Sequence, residues 1–320
     1  MKMIEESYIV IFMRVNMLFQ KIKNIVQIKK EIWLSVFFAV MFFLIPVHTI
    51  YIFSEYFENG IKMMWQTKAV YMQSIFIIFA EIVFCYKYCS FESLKKYKHI
   101  YITAFLFFVF LLIRSIFTDD FVLSILFIFS FLQIVILFAL FSKRNKMYDM
   151  CVLYAFVFSS FLSSIYAFVQ LLEQKVFASL YLGVSEKLVH TLGTAVVNNG
   201  EERYLRLYGT FTHPNIFAAF LFLGIVIHIF ILSKHKLDYK KYALYFSLFF
   251  HVFMFFFTFS RSAFLAFFIF LLIAFLFEKS FRKYLFLSFV YFVILSGLFF
   301  PFLQGRVRGN SSIETRAIEV

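Results

Sequence analysis

Two short segments of this chain carry residue types suited to gripping a phosphate. One reads Arg206-Leu207-Tyr208-Gly209-Thr210-Phe211-Thr212-His213-Pro214-Asn215, the other Phe259-Ser260-Arg261-Ser262. A guanidinium stays charged at any working pH, and its planar fork donates two parallel hydrogen bonds to a phosphate or diphosphate. Each arginine stands just ahead of an apolar run of helical length. Pro214 suits the first helical position, where an N–H would have no intrahelical partner, and His213 or Thr212 then caps. Helices starting at Pro214 and after Arg261 would both turn unpaired N–H groups and a positive dipole end toward the arginines. Two guanidinium groups and two helix starts make an anion site, provided the fold brings them together. The rival reading is that both arginines snorkel to lipid headgroups, which are phosphates too.

Composition says what kind of fold must do the positioning. Of the 320 residues, 63% are hydrophobic and 15% charged, mean hydropathy is +0.86, and 54 residues are phenylalanine. A water-soluble fold of this length needs far more polar surface. The chain reads instead as an integral membrane protein of the all-α class, a polytopic bundle of transmembrane helices. The net charge of +13 does not point to nucleic acid, because the basic residues sit in short groups between apolar runs. Residues 1–31 form a cytoplasmic or interfacial segment, since the apolar run from Tyr8 to Met13 is too short for a signal peptide. Cys85, Cys89 and Cys151 form no metal or redox motif, and no metal or cofactor is expected.

The hydropathy pattern predicts about nine spans of near bilayer length. They fall at 32–53, 69–88, 100–118, 121–142, 150–172, 214–233, 243–260, 262–277 and 284–303, giving a transmembrane domain over 32–303. Alternate connections are basic, as at Lys95, Lys96 and Lys98 or at Lys143, Arg144 and Lys146. The positive-inside rule then places the N-terminus in the cytoplasm and the C-terminus outside. Residues 173–213 make a long outer connection, and 304–320 read as the start of another outer loop. Arg206 and Arg261 therefore lie outside, against the charge bias.

Other polar residues read less sharply. Glu81 falls within a span and is expected to be protonated or paired. Arg114 snorkels from near a span end. His48, His228 and His251 have no partner at metal-ligand spacing, so packing is their expected role. His190 is outside, and Asn310-Ser311-Ser312 matches a glycosylation sequon at low specificity.

The motif Arg206-x-x-Gly209-Thr210-Phe211-x-His213-Pro214-Asn215 leading into a span, with Ser260-Arg261-Ser262 at a tight outer turn, resembles the O-antigen ligase and polymerase superfamily. Ser311-Ser312 with Arg316 is a looser match, and the likeness covers roughly residues 150–320. The resemblance implies a multi-pass enzyme of the bacterial inner membrane. Such an enzyme takes a glycan from undecaprenyl diphosphate at the outer face and passes it to an acceptor hydroxyl. A ligase uses lipid A-core as acceptor and a polymerase another glycan unit. No nucleotide sugar, cofactor or metal is implied. Carried onto this chain, Arg206 and Arg261 are catalytic, and His213, Asn215, Ser260 and Arg316 bind substrate. The family pattern continues through a large outer loop and further spans, so by this resemblance the chain is expected to be a C-terminally truncated member. Ligase is the favoured reading. Polymerase, lipid-linked glycan transporter and inactive remnant are the alternatives, with few Gly or Pro inside the spans weighing against transport.

Overall fold

In a computed structural model, residues 97–234 and 240–304 are described apart from 119, 142–148, 192, 200–201 and 303. Before them, 32–54 are described apart from 34 and 48, then 57–58, 61–62, 68–71, 74–75, 77–78 and 82. The chain falls into two compact units, Met1–Val40 with Ile77–Val152 and Met41–Phe76 with Leu153–Val320. Among the described residues, five helices are long and apolar enough to cross a membrane, and shorter apolar helices accompany them.

The elements in chain order are α1 (Ser35–Leu44), four short strands, α2 (Lys98–Ile116), α3 (Phe121–Phe141) and α4 (Asp149–Glu173). The strands are β1 (Ile50–Ser54), β2 (Phe57–Glu58), β3 (Ile61–Lys62) and β4 (Lys68–Tyr71). Then come β5 (Lys175–Val176), β6 (Lys187–Leu188), β7 (Val196–Asn199) and β8 (Glu202–Leu205). The chain continues through α5 (Pro214–Lys234), α6 (Lys240–Phe257), α7 (Arg261–Phe277) and α8 (Arg282–Leu298).

From α2 onward the helices match the expected spans to within a few residues. The start of the chain differs. Where one span was expected over 32–53, α1 stops at Leu44 and the chain turns through Pro46 into β1, which pairs antiparallel with β4. Pro46 has no N–H to continue the ladder, and Ile50-Tyr51-Ile52-Phe53 beyond it has the β-branched and aromatic composition of a strand. The expected span 69–88 likewise opens as strand to Tyr71 before helical residues appear at 74. Glu81 and His48 lie outside the described residues.

In the first unit, α2 and α3 form an antiparallel pair. Asp120 caps α3, its Oδ1 accepting from Leu123 N–H at 3.0 Å, and Phe107 meets Phe131 edge-on at 5.1 Å. Only 6% of the most apolar stretch of α2 and 11% of that of α3 are buried, against 56% for α5. Helices apolar all round but so exposed need hydrocarbon around them.

In the second unit α5 is the central helix, packed by α6, α7 and α8. Phe292 of α8 joins Phe256 of α6 at 5.6 Å and Phe264 of α7 at 5.1 Å. One buried seam is polar. The rings of His228 and His251 lie 4.5 Å apart, each with Nδ1 against a helix carbonyl, Gly224 O at 2.8 Å and Ser247 O at 2.7 Å. A carbonyl only accepts, so each Nδ1 carries the proton and each Nε2 accepts. Ser247 Oγ donates to His228 Nε2 at 2.9 Å, and Ser160 Oγ of α4, which also meets Val157 O at 3.0 Å, lies 2.7 Å from His251 Nε2. Both rings are fully buried, and the two histidines that read as isolated in the sequence are neighbours here. Gly224 makes the seam possible, since a Cβ there would sit 3.1 Å from both His251 Cδ2 and Ser160 Oγ. Gly224→Val is therefore expected to destabilise the protein by about 1–3 kcal/mol, the usual cost of overpacking. A lowered thermal midpoint in detergent, with a smaller drop for Gly224→Ala, is the measurement that checks it.

Candidate anion site at two helix starts

The segment between α4 and α5 was expected to be a connection, and it is a small folded cap. β5 pairs with β6 and β7 with β8, both antiparallel. Val176, Val184, Leu205 and Tyr208 close a core beneath them. The hairpins deliver the chain to Arg206, whose N–H donates to Ala195 O at 3.1 Å.

From there Gln170 takes hold. This fully buried amide of α4 donates through Nε2 to Gly209 O at 2.7 Å. Its Oε1 accepts from Gly209 N–H at 3.0 Å and Tyr208 N–H at 3.3 Å. Gly209 has φ +57, and a Cβ there would lie 2.5 Å from the Phe217 ring, so only glycine fits.

Arg206 is 4% exposed and faces the α6–α7 turn. Its Nε donates to Thr258 O at 2.8 Å and its Nη2 to Asn215 Oδ1 at 2.8 Å. Leu207 N–H adds a bond to Phe257 O at 3.3 Å. Arg206 and Leu207 of the first segment therefore bond Thr258 and Phe257, the residues just ahead of the second segment. The turn itself is strained. Phe259 adopts φ 47, a region that bulky residues avoid, and its ring is held against Phe256 at 5.6 Å and Phe302 at 6.3 Å.

His213 caps α5 twice over. Its Nδ1 accepts from Asn215 N–H at 3.1 Å, and its carbonyl accepts from Ile216 N–H at 3.1 Å and Phe217 N–H at 3.2 Å. Nδ1 is thus deprotonated and the remaining ring proton is on Nε2. α7 differs, for no side chain caps it, although Ser260 is buried with its Oγ 3.4 Å from Ser262 Oγ. Arg261 is exposed at its first turn. Of the residues named from the sequence, Arg206, His213, Asn215, Ser260 and Arg261 are gathered here, while Arg316 lies outside the described residues.

Two contributors were not anticipated. Gln170 was legible only as a lone amide near the end of an apolar run. Lys187, on β6, sets its Nζ 5.1 Å from the centre of the Tyr208 ring. Partial burial lowers the Lys187 ammonium from its ordinary range. Burial also raises the Tyr208 phenol, which accepts from Ala195 N–H at 2.7 Å. The His213 imidazole is held below its ordinary 6.5 by partial burial, then by the charges of Arg206 and Lys187. The arrangement is a cationic rim beside two helix starts, able to bind and polarise an oxyanion. Among the described residues no cluster of His, Cys, Asp or Glu could hold a metal ion.

Comparison with protein families, curated proteins and solved structures finds no match to this chain.

Gln170→Leu leaves buried backbone groups at Tyr208 and Gly209 unpaired, at about 1–3 kcal/mol for each. Faster proteolysis within residues 173–213 in the variant is the expected result. His213 supplies a pH dependence. Its folded pKa lies below the unfolded value, so the neutral ring's contribution is complete above about 6.5 and is lost as pH falls below it. Thermal midpoints measured across that range should fall more steeply for the native chain than for His213→Asn, which caps without titrating.

Proposed function

We propose that this chain is a glycosyltransferase of the bacterial inner membrane, transferring a glycan from undecaprenyl diphosphate to lipid A-core at the outer face. The observation that carries the reading is that Arg206 bonds both Thr258 O, just ahead of the second arginine segment, and Asn215 at the start of α5. A site that concentrates guanidinium groups and helix N-termini is suited to a diphosphate, and the charge pattern of the connections assigns this end to the outside.

The carrier supplies an already activated anomeric carbon, so the chemical demand falls on the leaving group. As the acceptor oxygen attacks, negative charge builds on the departing diphosphate, and preorganised donors stabilise it. Arg206 is fixed in place before substrate arrives. Arg261, exposed at the uncapped start of α7, closes on the diphosphate with the N–H groups of that first turn. His213 and Asn215 line the entry, and Ser260 shapes the turn.

Arg261 gives the clean test because its exposed side chain can be removed without opening the core. A host strain deleted for this gene should lose long glycan chains and show bare lipid A-core. An Arg261→Ala copy, inserted in the membrane at normal abundance, should fail to restore them. Core bearing a single repeat would assign the same chemistry to a polymerase. An unchanged glycolipid ladder would overturn both.

A further inference from the structure

We propose that Lys187 is the third cation of this site, binding the diphosphate and meeting the negative charge it gains as the glycan departs; this rests on the function proposed above. Its position is set by packing rather than by its own flexible stem. In the β5–β6 hairpin Lys187 stands opposite Val176, and Val176 is buried in one core with Tyr208. Tyr208 lies between Arg206 and Gly209, and the ammonium sits over its ring at 5.1 Å.

The surroundings of Lys187 call for an anion. It is only partly solvated, and among the described residues it has no carboxylate partner. A ring face at that distance supplies only about 0.5–1 kcal/mol, a weak hold on a half-buried ammonium. A lysine there for hairpin stability alone would gain more by swinging its head into solvent. Lys187 instead lies beside the residue two positions from Arg206, and after partial burial its charge and that of Arg206 both lower the His213 ring.

The reaction explains why a third cation matters. The acceptor hydroxyl oxygen bonds to the anomeric carbon. The bond from that carbon to the carrier's diphosphate oxygen breaks, leaving its electron pair on the oxygen, and the hydroxyl proton passes to water. The diphosphate thereby gains one negative charge. An ammonium is a compact point charge that follows such a change without demanding one bonding plane. A contact that strengthens as the bond breaks lowers the barrier, whereas one equally strong throughout does not.

The experiment uses the purified full chain in phosphatidylcholine nanodiscs, with farnesyl diphosphate as probe of the departing group and farnesyl phosphate as its less charged counterpart. Lys187→Gln is expected to weaken farnesyl diphosphate about tenfold, as loss of one charged hydrogen bond does, and farnesyl phosphate less. The salt dependence of binding should become shallower, and Lys187→Arg should recover most of the affinity. Lys175→Gln is the control, because Lys175 stands on the neighbouring strand over Phe177 at 4.7 Å and should leave binding unchanged. If Lys187→Gln binds farnesyl diphosphate as the native chain does, the role of Lys187 is overturned while the site survives. Absence of saturable binding by the native chain, or equal displacement by phosphatidylglycerol, would overturn the diphosphate site and Lys187 with it.

Discussion

A peptide group inside hydrocarbon finds no water to bond, so each N–H and C=O must be paired within the protein. This constraint settles the architecture from α2 onward, where apolar runs have no course open but the helix. It also settles where irregular backbone can occur. Among the described residues of the second unit, every strand lies in the segments before α4 and between α4 and α5, and the strained residue Phe259 sits at the turn between α6 and α7. Chemistry that needs backbone of unusual shape is thereby confined to helix ends. The same rule governs side chains. His228 and His251 are tolerated in the interior because each ring nitrogen meets a carbonyl or a serine hydroxyl.

Within that frame one hydrogen bond joins what the chain keeps far apart. Arg206 Nε to Thr258 O spans 52 residues and ties the cap above α4 to the α6–α7 turn. Gln170 makes the bond possible by fixing the backbone at Tyr208 and Gly209, and Phe217 seats against Gly209 where any side chain would collide. Local geometry therefore flows from α4, through a glycine, to an arginine, and then to a second helix start. Each step is a contact that the neighbouring residues over-determine.

The legibility of this in the sequence follows the range of the interactions. Helices such as α5 were legible because a long apolar run is a local property, and Pro214 marks the start of its own helix. The run over 32–53 misled because hydropathy does not weigh the break at Pro46 against a strand partner nearly twenty residues away. The strands between α4 and α5 are two to four residues long, too short to leave a periodic signal. Arg206 and Arg261 stood out by charge type and place. Gln170 and Lys187 acquired meaning only through tertiary neighbours, Gly209 in one case and Tyr208 in the other. The pairing of His228 with His251 was hidden for the same reason, since neither residue signals the other from 23 positions away.

The electrostatics of the rim run against what stability alone would select. Helix N-termini favour anions and oppose cations, yet Arg206 donates to Asn215 in the first turn of α5, while its bond to Thr258 O, just past the end of α6, is the favourable one. A guanidinium that is 4% exposed also forfeits most of its hydration. Lys187 adds a further positive charge, and after partial burial both charges push the His213 imidazole below its ordinary value. The turn beside them keeps a phenylalanine in left-handed backbone, which costs of order 1–3 kcal/mol. Like charges, desolvation and backbone strain at one place are each unfavourable in an empty site. An oxyanion bound there reverses the sign of the first two, because it is attracted by every cation and by both helix starts at once. A fold that held these groups only for structure would have replaced them by apolar packing, as it has throughout the aromatic contacts of α6, α7 and α8. Their concentration at the end of the bundle where the backbone is free to turn is the physical reason to look for the ligand there.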